Sequence, residues 1–351
     1  MYSVFQPECP NGHSNQSSTT PGLARSPNTL QLGLGREALL LPGMKVEHEK
    51  LINLLYRGVA DGSLQTISRT VGSSDEETGE LLSRLAPALL HESDAPAPTT
   101  VALSESFVAQ AFAEIIRASF NTSVDGQTVL RTRAARVVSL ATADKASLVL
   151  ALGLASAGVG AILCNDDSPV MIEDIGPLGY DQRELGSPRR DALARRLEQG
   201  SHPCRIANSN TPPKALAASV FIAHHLASPK GYSEILRGGT AHLSIEFGVE
   251  ETRVSPLVRP GITACLVCRH SEELRLDPDW AAVSTQLQFR HERLDDTQST
   301  LLAAGIALES LLGFLDDPRK LIFEGKTIDH RTGLIAPLTW AKDEGCECKL
   351  G

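Results

Sequence analysis

Two close pairs of cysteines constrain this chain more than any other feature. Cys265 and Cys268 stand two residues apart in GITACLVCRH, and Cys346 and Cys348 follow in DEGCECKLG. A Cys-x-x-Cys turn can aim both sulfurs at one tetrahedral centre about 2.3 Å from each, and a second close pair completes the shell. The pattern predicts a zinc ion held by Cys265, Cys268, Cys346 and Cys348. Four thiolates leave no open coordination position, so such a metal would be structural, pinning the C-terminal segment onto the loop after Pro260. A redox pair and ordinary buried thiols are the alternatives. A redox Cys-x-x-Cys needs no second pair and normally opens a helix beside a strand, whereas Pro256 and Pro260 mark a strand-to-loop passage here.

Composition sets the remaining bounds. The chain has 351 residues, 42% hydrophobic and 21% charged, which suits two or three globular domains. No run is expected to reach the roughly 18 apolar residues of a membrane helix, and the first residues lack a signal-sequence pattern. With cysteines arranged as a metal site, a reducing, cytoplasmic setting follows. A formal charge of −9 argues against nucleic acid as a partner. The basic clusters Arg131, Arg133, Arg136 and Arg189, Arg190, Arg195, Arg196 are expected to cover solvated faces.

Along the chain, residues 1–29 are rich in Ser, Thr, Pro, Asn and Gly and read as a tail. LQLGLG and ALLLP read as two strands joined near Gly35 and Arg36. Three helices follow, the third marked by a Ser74/Glu77 capping box and the stripe Leu81, Leu82, Leu85, Leu89. Strands and three short helices over residues 30–92 predict a small winged-helix-like module. Residues 93–130 read as a linker, DAPAPTT, and one connecting helix, SFVAQAFAEIIRASF. From residue 131 onward the texture alternates: ARVVSLA as a strand, KASLVLALGLASAGVG as a helix ending at glycine, and AILCNDD as a strand. SVFIAH, AHLSIEF and TRVSPLV read as further strands, and PRRDALARRLEQ and STLLAAGIALESLLGFL as helices. This predicts an α/β fold with a doubly wound, Rossmann-like sheet over residues 131–351.

With AGVG, NDD, GSPRR, SPLVRPGITACLVC and the final CEC in this order, residues 131–351 resemble the ThiF-like, ubiquitin-activating-type adenylating superfamily. The stretch VSPLVRPGITACLVCRHSEELRLDPDWAAVSTQL, with Asp277, Pro278, Trp280 and Gln286, is most similar to the zinc-containing leader-binding partners of YcaO-type, azole-forming cyclodehydratases. The resemblance implies ribosomal peptide (bacteriocin-type) biosynthesis. Its expected partners are a precursor leader peptide and a YcaO-type enzyme, with a homodimer as the candidate assembly and no membrane. It also implies that the N-terminal module recognises the leader by strand addition, with Leu32, Leu34, Leu81, Leu85 and Leu89 lining the neighbourhood; each of these leucines equally reads as plain core of the module.

Active members of that superfamily carry a Gly-x-Gly-Gly-x-Gly turn, because only glycines let backbone amides approach nucleotide phosphates. The matching positions here are Thr142, Ala143, Asp144, Lys145, Ala146 and Ser147, so ATP is not expected to bind. The next motif, Ser-Asn-Leu-x-Arg-Gln in the family, reads Glu173, Asp174, Ile175, Gly176, Pro177 and Leu178. Asp166 matches the family's ribose-binding acid and Arg189 falls near its phosphate-contacting lysine; Asp166 equally reads as a strand end and Arg189 as a helix start. His224 and His225 follow a strand at the carboxyl end of the sheet, as ligands or as loop residues. Cys164 reads as an inert buried thiol, and Cys9 and Cys204 fall in loops. No catalytic set emerges, so independent enzymatic activity is not expected. The alternatives are an authentic ATP-dependent adenylating enzyme and a winged-helix DNA-binding regulator, the latter opposed by Asp75, Glu76, Glu77 and Glu80 at the third helix start.

Overall fold

A computed structural model describes residues 2–4, 23–26, 28–32, 39–56, 59, 61–86, 89–91, 101–122, 124–207, 216–227, 239–290 and 292–346. The chain divides into two compact units, one comprising residues 1–100 and 108–131 and the other 101–107 and 132–351.

In the first unit, β1 (Tyr2–Val4) pairs antiparallel with β5 (Leu89–His91). A three-stranded antiparallel sheet runs in the order β2 (Leu23–Ser26), β3 (Thr29–Leu32), β4 (Leu39–Pro42). Residues 2–4 and 23–26 therefore form strands inside the segment read as a tail. Polar composition lowers the drive to collapse, but pairing of β1 with β5 and of β2 with β3 supplies backbone hydrogen bonds that composition does not register. Helices α1 (Val46–Tyr56), α2 (Leu64–Val71) and α3 (Asp75–Leu85) follow. Ser74 Oγ accepts from Glu77 N, and Glu77 Oε2 accepts from Ser74 N, both at 3.1 Å, so two orphan amides at the start of α3 are satisfied. Leu30, Leu41, Ile52, Leu55, Leu81 and Leu85 fill the core of this unit. The connecting segment is two helices, α4 (Glu105–Gln110) and α5 (Phe112–Thr122), where one was expected, and α6 (Gly126–Ala134) follows.

The second unit is built on an eight-stranded sheet in the order β13-β12-β11-β10-β9-β6-β7-β8. Strands β6 (Val137–Leu140), β7 (Ala161–Leu163), β8 (Arg205–Ile206), β9 (Leu216–His224) and β10 (Ala241–Phe247) are mutually parallel. Strands β11 (Glu251–Val254), β12 (Glu324–Asp329) and β13 (Ile335–Thr339) extend it antiparallel. Helix α7 (Lys145–Ser156) links β6 to β7, and α8 (Arg189–Leu197) precedes β8. Chain order reverses between β6 and β9, which opens a crevice at their carboxyl ends.

Local sequence explains how α7 stops and how closely the next strand can pack. Gly158 takes φ 92°, and Val159 N reaches back to Leu154 O at 3.0 Å, a glycine-terminated helix end. A Cβ on Gly160 would stand 1.7 Å from Ala134 O, so only glycine fits at the entry to β7.

Two expectations about exposure are corrected. Arg133 does not cover a solvated face: it is 2% exposed and bonds Asp316 through Nε (2.7 Å) and Nη2 (2.6 Å), and Ala157 O through Nη1 (3.0 Å). The arginine fork satisfies a carboxylate and a helix-end carbonyl together, which makes burial tolerable. Helix α11 (Thr297–Asp316) has the length and apolarity, at mean hydropathy 1.4, that a bilayer span requires. Here it packs against α7, β10, β11 and β12, burying Ala303, Ala307, Leu311 and Phe314.

Candidate functional site

At the crevice, the loop after β6 leads straight into α7, whose first turn carries amides that need acceptors. Asp144 caps the helix, its Oδ1 accepting from Ser147 N at 2.9 Å and its Oδ2 from Thr142 Oγ1 at 3.0 Å. A second carboxylate arrives from 29 residues away: Asp174 Oδ1 accepts from Lys145 N at 3.1 Å. Both acids therefore sit at the positive end of the helix.

Asp174 is fully buried and is the hub of the site. Its Oδ2 accepts from Met171 N (3.0 Å) and from Arg189 Nε (2.9 Å) and Nη2 (2.6 Å), while Oδ1 also accepts from Arg293 Nη1 (2.9 Å). Arg293 in turn bonds Asp295 through Nε (2.9 Å) and Nη2 (2.6 Å), and Lys145 Nζ lies 3.7 Å from Asp295 Oδ2. Burial opposes ionisation of Asp174, but the Met171 amide and the Arg189 and Arg293 guanidinium groups outweigh it and hold the carboxyl below its usual range. A depressed carboxyl contributes stability that is complete above the unfolded value of about 4 and is lost as pH falls through the lower folded value. Asp174→Asn should accordingly flatten the acid limb of a stability-against-pH curve below about pH 4, measured by urea unfolding; an unchanged limb would remove Asp174 from this role.

Arg189, expected on a solvated face, is thus drawn inward by Asp174, while Arg190 and Arg195 remain partly exposed. Asp166 accepts from Ala143 N (2.9 Å) and Ser168 N (3.0 Å), and its Oδ2 lies 3.6 Å from Arg189 Nη1. The structure so brings the two predicted nucleotide-site residues together, engaged with the chain's own groups. Tyr180 OH closes the floor by donating to Ala143 O at 2.6 Å, and burial keeps this phenol protonated. Arg293 escaped the sequence reading because nothing local marks a loop arginine that pairs 119 residues away.

His224 ends β9 and stacks on Phe247 with ring centroids 5.7 Å apart. Its Nδ1 accepts from Leu294 N at 3.1 Å, and burial lowers its pKa, so the ring is neutral and tied to the loop before α11. His225 follows at φ 68°. Burial pushes the Cys164 thiol up to about 11 and Cys204 up to about 12, so both stay protonated and inert. Cys9 lies outside the described residues.

The second candidate centre lies at the start of α9 (Leu266–Leu276), which α10 (Trp280–Leu287) follows. Cys265 is the N-cap of α9 and Cys268 sits in its first turn, so the pair does open a helix, contrary to the strand-to-loop reading. The third sulfur separates the alternatives. Cys265 Sγ lies 3.8 Å from Cys268 Sγ and 3.7 Å from Cys346 Sγ, and all three residues are buried. Ligands at about 2.3 Å on a tetrahedral centre stand about 3.8 Å apart, so these sulfurs match three corners of one coordination shell and could hold a metal ion. Val258, Ala264 and Trp340 enclose them. Cys348, the fourth expected ligand, lies outside the described residues.

In the N-terminal unit, Leu32, Leu81 and Leu85 belong to the core rather than to an open surface. Leu89 begins β5, and Leu34 lies outside the described residues. Among the described residues β4 pairs only with β3. Arg84 Nη2 of α3 donates to Pro42 O at 2.7 Å, which holds the helix beside that strand, and Leu40 of β4 is 45% exposed.

No protein-family model matches the chain, and no curated protein matches it in sequence. Solved structures do resemble it. The E. coli protein MccB with ATP superposes with a TM-score of 0.60 at 11% identity, covering 92% of this chain and 98% of MccB. The microcin C7 biosynthetic enzyme MccB in complex with N-formylated MccA gives 0.62 at 11% identity over the same shares. PaaA gives 0.61 at 14% identity, covering 79% of this chain and 96% of its own. At these identities the likeness shows the fold.

Proposed function

We propose that the protein captures the leader of a ribosomally made precursor peptide and presents the core to a YcaO-type, ATP-dependent cyclodehydratase, without chemistry of its own. The observation that supports this most is the occupied start of α7. The fold is that of MccB, a protein solved with ATP and with MccA, yet Asp144 and Asp174 take the amides that a glycine turn would offer to phosphates. Carboxylates at that position repel a nucleotide instead of cradling it. A structural zinc on Cys265, Cys268, Cys346 and Cys348 would tie the C-terminal segment to α9.

Peptide capture falls to the N-terminal unit, which we read as a winged-helix-like module. Its β4 edge can accept an extended strand, with backbone hydrogen bonds giving affinity and alternate side chains entering the groove beside α3. Leu32, Leu81 and Leu85 shape that groove from below. The test uses full-length protein and the leader of a short precursor peptide, which this reading expects to be encoded near the gene, with affinity measured by calorimetry. Leu40→Glu puts a charge on the exposed edge without touching the core and should weaken binding by about tenfold or more, equivalent to about 1.4 kcal/mol. Leu85→Glu is uninformative, because a charge at a fully buried position unfolds the module. Undiminished binding in Leu40→Glu and in a variant lacking residues 30–92 would place recognition elsewhere. Pyrophosphate exchange with ATP by the purified chain alone would favour the adenylating-enzyme reading in its place.

A further inference from the structure

We propose that Lys145, Arg189 and Arg293 form an oxyanion receptor at the foot of the crevice, and that Asp174 is its built-in occupant, which excludes phosphate-type anions from the native chain. The proposal rests on the reading that the native chain binds no nucleotide, and it names the residue responsible. Five donors converge on one carboxylate: the amides of Lys145 and Met171, Nε and Nη2 of Arg189, and Nη1 of Arg293. The Arg189 fork, a single Nη1 from Arg293, whose own fork holds Asp295, and the helix-start amide of Lys145 are donors of the kind that recognise a tetrahedral or planar oxyanion. The five donors come from four separate segments, so their convergence is a tertiary feature and not the product of one turn.

Access and charge define the ligand. An open cleft lined by Lys145, Glu173, Arg293 and Asp295 borders two of the four donor residues, Lys145 and Arg293, on the solvent side. Around them, Lys145, Arg189 and Arg293 face Asp144, Asp166, Asp174 and Asp295, so the native cluster has no positive charge to spare. Without Asp174 the three cations meet Asp144, Asp166 and Asp295, with Glu173 at the cleft besides, and these remaining carboxylates favour a small monoanion over a polyanion. A pair with no cleft beside it serves as the contrast. The Asp316 side chain is buried much as that of Asp174 is, at 5% and 0% exposure, but its partner Arg133 is 2% exposed and lines none of the described clefts, whereas Arg293 is 17% exposed and lines one.

The experiment compares thermal unfolding of the wild type, Asp174→Ala, Asp174→Asn and Asp316→Ala, in chloride and in inorganic phosphate at matched ionic strength and about pH 6. Phosphate stabilises proteins generally, so the wild-type shift is the baseline. In chloride, Asp174→Ala should lose about 6–12 °C in Tm, and phosphate should restore at least half of that with a saturating dose dependence. Asp316→Ala and Asp174→Asn should gain no more than the wild type, one because no described cleft borders its pair and the other because the amide still fills the seat. If Asp174→Ala is unfolded in chloride, refolding in phosphate supports the proposal, and failure to fold in both overturns it. A phosphate gain equal to the wild type's, or equal gains in Asp174→Asn and Asp174→Ala, also overturns it. Calorimetry with magnesium ATP on the wild type separates the two readings: binding there defeats the nucleotide-free reading, whereas its absence with no phosphate gain in Asp174→Ala defeats only the receptor.

Discussion

Replacing Cys265 with serine is expected to strip the metal and release the C-terminal segment from α9. Its sulfur is the common neighbour of the other two, at 3.8 Å from Cys268 and 3.7 Å from Cys346, so its removal breaks both described edges of the shell. A closed thiolate site contributes on the order of 10 kcal/mol or more to local folding, far above the contribution of the few apolar contacts around it. Elemental analysis should find about one zinc per wild-type chain and little in Cys265→Ser. Hydrogen exchange should then show lost protection in the first turn of α9 and around Cys346. Wild-type protein that is metal-free and equally protected in both segments would refute the site; so would a Cys265→Ser variant that keeps its full complement of zinc.

The second large effect is expected at the buried pair of Arg133 and Asp316. Asp316→Ala leaves a guanidinium inside the fold with its main acceptor gone, and a broken buried pair typically costs about 3–5 kcal/mol. Replacing both partners by apolar groups of similar volume removes the uncompensated charge, so Arg133→Met combined with Asp316→Leu should cost much less than Asp316→Ala alone. The Ala157 carbonyl also loses its Arg133 donor in that double variant, so some deficit should persist. Chemical denaturation of the single and double variants reads the difference directly. If Asp316→Ala unfolds at the wild-type midpoint, the pair contributes nothing to stability.

Some elements were legible because their causes are local. The Ser74/Glu77 box announces α3 within four residues, and the apolar run after Asp144, closed by Gly158, announces α7. Pairing signals were weaker. The β12–β13 hairpin was missed although its turn chemistry was present: Asp329 Oδ1 accepts from Arg331 N and Thr332 N, and Gly333 takes φ 70°. The break between α4 and α5 at Ala111 has no marker in the sequence, and nothing in the structure explains it.

By itself the sequence determined the close cysteine pair, the absence of glycine from the turn after β6, and the alternation of strands and helices. Each of these is a property of neighbouring residues, where spacing alone fixes what can face what. Only the tertiary structure decided that Arg133 and Arg189 would turn inward, that Cys346 would come within 3.7 Å of Cys265 from 81 residues away, and that Asp174 would gather donors from Lys145, Arg189 and Arg293. Those meetings depend on strand order and on which loop ends share the crevice. Periodicity specifies which face of an element is buried but not which distant charge it meets there, and a charge is buried only where such a partner compensates its desolvation.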